Sequence, residues 1–217
     1  MKKLLNTGGL TVAFCLASTP LWADDIVKVN APNVSYAELQ AMLGSSFKTK
    51  GIAKKDWLKQ TDFNKICSSD KQPSKAEQKR IEAEQMKTIK YPADGKYFGD
   101  WKIGEKIAQD GRAMTWKDKS LSQPRGRKHN GGSCYNCHQL GHNELSFGTI
   151  GPSLLNYAQR GDSETILKYT WGKIYNAKAY NACSHMPRNG TAGILTEELM
   201  KHVMAFLYDP ESPVNKK

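Results

Sequence analysis

The chain has 217 residues, of which 39% are hydrophobic and 24% charged, and its 32 Lys+Arg against 21 Asp+Glu give a formal charge of +11. That length accommodates one ordinary domain or a small domain with an extension. No repeat or low-complexity tract is present, and beyond the amino terminus no stretch is apolar for long enough to cross a membrane.

In chain order, Met1-Lys2-Lys3 is a short basic start. Leu4 to Leu21 is largely apolar, and Ala23 supplies a small residue before Asp24-Asp25. Residues 1–23 therefore read as a cleaved secretory signal peptide, broken by Gly8, Gly9 and Pro20 and too short to persist as a span. Cys15 would suit a lipid anchor, but Phe14 stands where a small residue is needed, so Cys15 is assigned to the discarded apolar region. The expected mature chain has 194 residues and a charge of +9. Residues 48–90 hold 12 basic and 6 acidic residues, so the excess is uneven. For an exported chain this surplus points to an acidic protein partner and away from nucleic acid, a solvated face being the plainer alternative.

Residues 24–98 are expected to form a helical extension. Ser35 can cap a helix through Tyr36, Leu39, Met42 and Leu43. A second helical piece includes Trp57, Leu58 and Ile66. Ser74-Lys-Ala-Glu77 is a capping box that opens a helix from about 75 to 89, stopped by Tyr91-Pro92. Its sparse apolar positions, Ile81 and Met86, suit a surface helix or an arm lying on something else. The boundary near 98 separates this extension from a helical domain over 99–217. There the spacing predicts a helix over 100–109, a long basic loop over 112–132, a helix near 163–169, a turn-rich segment over 176–193 and a last helix capped by Thr196. Leu199, Val203, Phe206 and Leu207 form the buried stripe of that last helix. Asp209-Pro210 ends it.

The motif Cys134-Tyr-Asn-Cys137-His138 carries the chemistry. C-x-x-C-H is the attachment signature of c-type haem. Cysteines at i and i+3 share one face of a turn and can reach both vinyl groups of one haem, and the histidine that follows supplies the proximal iron ligand. A zinc site would need a second ligand pair, and a redox dithiol would need a βαβ setting; the flanks offer neither. The expected cofactor is one covalent haem c. Met186, in Ser184-His185-Met186-Pro187-Arg188, is the expected distal ligand, because Pro187 keeps the residue before it extended in a loop. His185 is the main rival and Met114 a weak one. Met200 and Met204 belong to the core of the last helix. His142 is too close to His138 to cross the haem plane, and His129 and His202 read as surface residues. The Gly151-Pro152 turn can present a carbonyl to the proximal imidazole, or be an ordinary turn. Cys67 and Cys183 remain. In an oxidising compartment they suggest a disulfide, with a free thiol or a link to another chain as alternatives.

Several strings carry a family resemblance: Gly-Thr-Ile-Gly-Pro-Ser-Leu (148–154), Tyr169-Thr-Trp-Gly-Lys-Ile-Tyr-Asn176, Asn181-Ala-Cys-Ser-His-Met-Pro-Arg188, Gly193-Ile-Leu-Thr-Glu-Glu198 and Asp209-Pro-Glu-Ser-Pro-Val-Asn215. Over 99–217 the chain resembles SoxX, the monohaem cytochrome subunit of SoxAX. The resemblance implies an all-α, class I cytochrome c-like domain behind an N-terminal helical extension, with Cys134 and Cys137 binding haem and His138 and Met186 as axial ligands. It implies a periplasmic electron-transfer subunit of the L-cysteine S-thiosulfotransferase that couples thiosulfate to a carrier cysteine of SoxY. The expected partners are a SoxA-type dihaem or monohaem cytochrome, the SoxYZ carrier transiently, and a soluble cytochrome c acceptor. The resemblance is silent on Cys183. Two rival readings are a free-standing class I cytochrome c carrier and a haem peroxidase or sensor, the latter needing an open distal position.

Overall fold

The computed structural model describes residues 34–112, 115–118 and 129–216. The expected leader, with Cys15, and the rival ligand Met114 lie outside the described residues. Among the described residues the regular structure is helical, and the one extended pairing is an isolated bridge between Lys50 and Ala53. The α-helices are α1 (Tyr36–Ser46), α2 (Asp62–Cys67), α3 (Lys75–Met86), α4 (Trp101–Gln109), α5 (Glu164–Tyr175) and α6 (Glu197–Tyr208). Short 3₁₀ turns lie at Lys55–Leu58, Cys134–Asn136, Tyr157–Arg160 and Ala177–Ala179.

The described residues divide between two units at Met42/Leu43. In the first, Ser35 opens α1 as the sequence predicts. Its Oγ accepts from the Glu38 amide (3.2 Å), and Glu38 accepts in return from the Ser35 amide (2.8 Å). In the second, the piece expected around Trp57 and Ile66 is split into a 3₁₀ turn and α2. The Ser74–Glu77 capping box of α3 is complete, with both reciprocal bonds made. α3 stops at Met86, three residues earlier than expected, because the Thr88 and Ile89 amides tighten onto the Gln85 and Met86 carbonyls.

The core lies between α4, α5 and α6. Ile107, Trp171, Met204 and Phe206 are fully buried there. α4 and α6 cross almost backbone to backbone at Gly104, where a Cβ would stand 2.0 Å from the His202 carbonyl oxygen. That glycine is required for lack of space. His202, read from the sequence as a surface residue, is half-buried and also structural: its Nδ1 accepts from the Asp100 amide at 2.8 Å and pins the start of α4 to α6. α5 runs on to Tyr175, past the expected end near 169. Gly172 weakens the helix intrinsically, but Trp171 and Ile174 bury on either side of it. A Cβ at Gly172 would strike the Tyr180 hydroxyl at 2.1 Å. Thr196 caps α6 by accepting from the Leu199 amide (3.3 Å), and Met200, Val203, Phe206 and Leu207 are buried as its inner face. Leu199 is only partly buried.

The extension from residue 43 onward shares this unit. Ile81 is buried, Trp171 Nε1 donates to the Lys90 carbonyl (2.8 Å) and the Asn176 side-chain amide donates to Gln85 Oε1 (3.0 Å) and Thr88 Oγ1 (2.8 Å). α3 is thus an arm whose support is the segment at 176–182.

Candidate functional site

The Cys134–His138 motif closes a turn on itself. The amides of Cys137 (3.1 Å) and His138 (2.9 Å) both donate to the Cys134 carbonyl, which draws the two cysteines and the histidine together. Ser133 enters the turn in the left-handed region at φ 56°. The segment after the motif folds back over it. The Gly148 amide donates to the Tyr135 carbonyl (2.9 Å), and the Gly151 amide to the Cys137 carbonyl (2.8 Å). Neither glycine has room for a side chain. A Cβ at 148 would lie 1.7 Å from the Asn136 carbonyl oxygen, and a Cβ at 151 would lie 2.2–2.7 Å from three atoms of the His138 ring.

The Pro152 carbonyl accepts from His138 Nδ1 at 2.7 Å. A carbonyl can only accept, so Nδ1 carries the proton and Nε2 keeps its lone pair free for a metal. The residue before this proline holds the chain against the ring while the proline carbonyl fixes its rotation.

Cys134, Cys137, His138, His185 and Met186 all line one cavity of ≈ 480 Å³, within the ~300–1,000 Å³ range of cofactor-sized sites. Its remaining walls are mainly apolar, among them Leu140, Leu154 and Phe206. Met200 and Met204 do not line it and are buried in the core. Nor do His129, His142 or His202. Met186 is partly buried and packs against the core cluster, whereas His185 is exposed; this favours Met186 as the inward donor.

The Cys134 residue is half-buried, yet burial of its thiol pushes the pKa up to about 12. Such a thiol is a poor match for the low-pKa nucleophile of a redox dithiol. Among the described residues no three His, Cys, Asp or Glu side chains converge as a metal cage, and the zinc reading gains nothing. Two thiols, a tautomerically fixed imidazole and a thioether around one apolar cavity fit a planar, largely apolar iron cofactor.

The segment carrying Met186 has almost no ladder of its own. The Met186 amide donates to Ser184 Oγ (3.2 Å), and the Cys183 amide to Asn181 Oδ1 (3.2 Å). The rest of its support comes from elsewhere. Lys178 Nζ donates to the carbonyls of Ala182 (3.3 Å) and Ser184 (3.2 Å). The Ala182 amide donates to Glu82 Oε1 (3.2 Å). Cys67 and Cys183 are joined in a disulfide with Cα atoms 5.4 Å apart. The Phe63 ring has Lys178 Nζ at 5.2 Å and the Arg188 guanidinium at 4.8 Å from its centre, and burial holds the pKa of both cations below its usual value. Sequence reasoning missed Phe63, Glu82 and Lys178. Their signal was weak, since each is an ordinary residue type whose partner is local to the fold and remote in sequence.

The terminal string Asp209–Asn215 also has a visible role. The Val214 carbonyl accepts from the Asn156 amide (2.7 Å), and Asn215 Oδ1 accepts from the Ala158 amide (3.1 Å). The tail thereby clamps the 3₁₀ turn whose Tyr157 lines the cavity.

No family model matches the chain. It is 37% identical over 159 residues to an uncharacterized lipoprotein of Aquifex aeolicus (strain VF5), an alignment covering 72% of this chain and 73% of that relative.

Proposed function

The chain belongs to the same family as the Aquifex aeolicus lipoprotein, and we propose that within it this protein is an exported monohaem c-type cytochrome with a class I cytochrome c-like fold. The observation that carries the reading is that one cavity gathers Cys134, Cys137, His138 and Met186, with His138 held by the Pro152 carbonyl. Cys134 and Cys137 are the thioether anchors. His138 Nε2 and the Met186 thioether would hold the iron. When bound, the haem supplies one-electron exchange with no gain or loss of atoms. The mainly apolar walls would cover much of the group, and Pro152 keeps the imidazole basic and fixed in rotation. With His138 and Met186 both committed to holding the iron, no group of this site would be left to transform a substrate.

The SoxX-like strings extend the reading. The protein serves as the electron-transfer subunit of an enzyme of the L-cysteine S-thiosulfotransferase kind, beside a SoxA-type cytochrome that holds the active centre. SoxYZ would be the transient carrier and a soluble cytochrome c the acceptor. Support comes from the strings' positions: 148–154 wraps the proximal turn, 181–188 bears Met186 and 209–215 clamps the wall of the cavity.

Export is supported by the leader pattern of residues 1–23, by the disulfide and by the relative's description as a lipoprotein. A mature amino terminus at Asp24 supports a cleaved leader and a periplasmic protein. A diacylated Cys15 would replace this with an anchored form.

The test is expression in a host that attaches haem c. One haem per chain is expected, lost on Cys134→Ala with Cys137→Ala. Met186→His should retain the haem and lower its potential, because a second imidazole favours the ferric state over Met/His ligation. A ferric spectrum untouched by Met186→Ala but altered by His185→Ala would reassign the ligand. Co-purification with a second haem protein, and no thiosulfate coupling by the isolated chain, support the subunit reading. Rapid exchange of electrons without any such partner favours a free-standing carrier.

A further inference from the structure

Met186 sits in a loop that does not hold itself. Between Asn181 and Arg188 the chain forms no helix or strand and carries only one turn, at Ala182 and Cys183, and Pro187 contributes no donor. The attachments from outside the loop come from Lys178 just before it and, across the fold, from Phe63–Glu82. The disulfide fixes Cys183, a cavity-lining residue three positions before Met186. Glu82 holds the neighbouring amide of Ala182. Phe63 lies against Lys178 and Arg188, and Lys178 in turn holds the carbonyls of Ala182 and Ser184. The proximal turn uses none of these residues.

We propose that Phe63–Glu82 is a clamp that positions Met186, and that the Cys67–Cys183 bond makes the clamp releasable: its reduction by a dithiol converts a closed distal position into one that admits a small neutral ligand. The inference rests on reading the chain as a haem protein with His138 and Met186 as ligands. In the reductive step a thiolate of the dithiol attacks one sulfur of the bridge, and a mixed disulfide forms. The second thiol of the reductant then displaces the protein sulfur. Two electrons and two protons pass to Cys67 and Cys183, which end as thiols, and the reductant ends as a disulfide. No bond to Met186 is made or broken in that step. Both cysteines are only partly buried, so a small or protein dithiol can reach them. Once the bridge opens, Glu82 and the Lys178–Phe63 contact remain, and the loop loosens without unfolding. Methionine is then a weakly held donor on a freed loop, and an external ligand competes with it.

The experiment uses full-length holoprotein held ferrous with ascorbate and mixed with carbon monoxide. Wild type with its bridge intact should bind slowly. Wild type pretreated with dithiothreitol and the Cys67→Ser/Cys183→Ser variant should both bind at least about tenfold faster, a factor equal to ~1.4 kcal/mol in the cost of displacing Met186. Glu82→Leu, with the bridge intact, should lie between them. Amide exchange should rise at Ala182–Met186 on reduction and stay unchanged at Cys134–His138. Asp94→Asn, which removes an exposed ion pair far along the chain, serves as the control and should bind like wild type. If Met186→Ala binds carbon monoxide fast while the bridge variants behave like wild type, the ligand reading stands and the clamp falls. If Met186→Ala changes neither spectrum nor binding, the ligand reading falls and the clamp with it. A uniform rise in exchange over the whole chain would make the bridge a general staple and also overturn the proposal.

Discussion

The two halves of the candidate site are built in opposite ways. The proximal half lies within residues 133–152. Most of its hydrogen bonds are short-range, joining Cys134 to His138, Tyr135 to Gly148, Cys137 to Gly151 and His138 to Pro152, and its longer ties reach only to the end of α4, where the Asp110 carbonyl accepts from the Ser133 amide (3.1 Å) and Gln109 donates to Glu144 (2.9 Å). The distal half lies within 178–188, yet its bridge, its Glu82 bond and its Phe63 contacts reach back across about a hundred positions, the bridge alone spanning 116. A locally built half can form early and independently, because short loops close at small entropic cost. A half held by distant residues forms only when the whole unit has folded. On the proposed reading, His138 is therefore held mainly from nearby, whereas Met186 depends on the rest of the molecule.

The sharpest way to break the proximal half alone is Gly151→Val. The side chain would occupy the volume of the His138 ring, and the backbone there is held by the Cys137 carbonyl. Overpacking costs typically ~1–3 kcal/mol and occasionally more, and a site with a ring and a backbone on both sides belongs at about 3 kcal/mol or above. Haem content per chain should collapse, while the Cys67–Cys183 bridge still forms, as thiol labelling of the denatured, unreduced protein would show. Retention of full haem content would mean that the proximal turn tolerates displacement and is less rigid than its hydrogen bonds imply.

The distal half is tested next by removing the bridge. Loop-closure estimates for about 100 residues approach 5 kcal/mol, but on the proposed reading a bound haem would already restrain the loop, so Cys67→Ser/Cys183→Ser should cost about 2 kcal/mol, the low end of the usual range. The denaturant midpoint should drop and haem attachment should persist. Simultaneous loss of haem would tie the two halves together and erase the contrast.

That contrast also explains what the sequence reveals. The capping box at Ser74, the cap at Thr196 and the stripe of α6 are readable because they depend on neighbours three or four positions away. The turn over Cys134–His138 and the Pro152 carbonyl on His138 are local in the same way. The buried role of Asn176, the pin from His202 to Asp100 and the Glu82–Ala182 bond are illegible, because their partners are set by how α3, α4 and α6 pack. Gly148 and Gly151 fall between: they stand inside a recognisable string, but only the approach of the Asn136 carbonyl and the His138 ring says why a side chain is forbidden. Gly172 misleads in the other direction, since packing against Tyr180 overrides its poor helix propensity.

Asn176 probes a further long-range attachment of the distal half. Its side-chain amide serves Gln85 and Thr88, and its Oδ1 accepts from the Lys178 amide (3.3 Å). It is fully buried. Asn176→Ala leaves Gln85 and Thr88 without that donor, at about 1–2 kcal/mol. Thermal or denaturant melts should register the loss, and amide exchange should rise at 176–184 before it rises at 133–138. Equal increases in both segments would show that the two halves share one cooperative unit.

The smallest effect tests whether sequence distance alone makes a contact matter to the distal half. Lys201 donates to Asp94 at 2.9 Å across 107 positions, and it also pairs with Glu197 at 3.0 Å. The pair is solvated, and such pairs contribute little. The Lys201 ammonium bonded to Asp94, with help from the Lys96 amide, holds the carboxyl below the usual carboxylate range. A carboxyl whose folded pKa is depressed contributes stability above its unfolded pKa, and that contribution fades as pH falls through the folded value. Asp94→Asn should therefore lower the melting temperature slightly at neutral pH, and the difference should vanish in acid and shrink in high salt. The Met186 spectrum should not change at any pH. A shift in that spectrum would mean that any distant restraint loosens the distal donor. An unchanged spectrum would confine that role to the residues that touch the loop: Phe63, Cys67, Glu82 and Lys178.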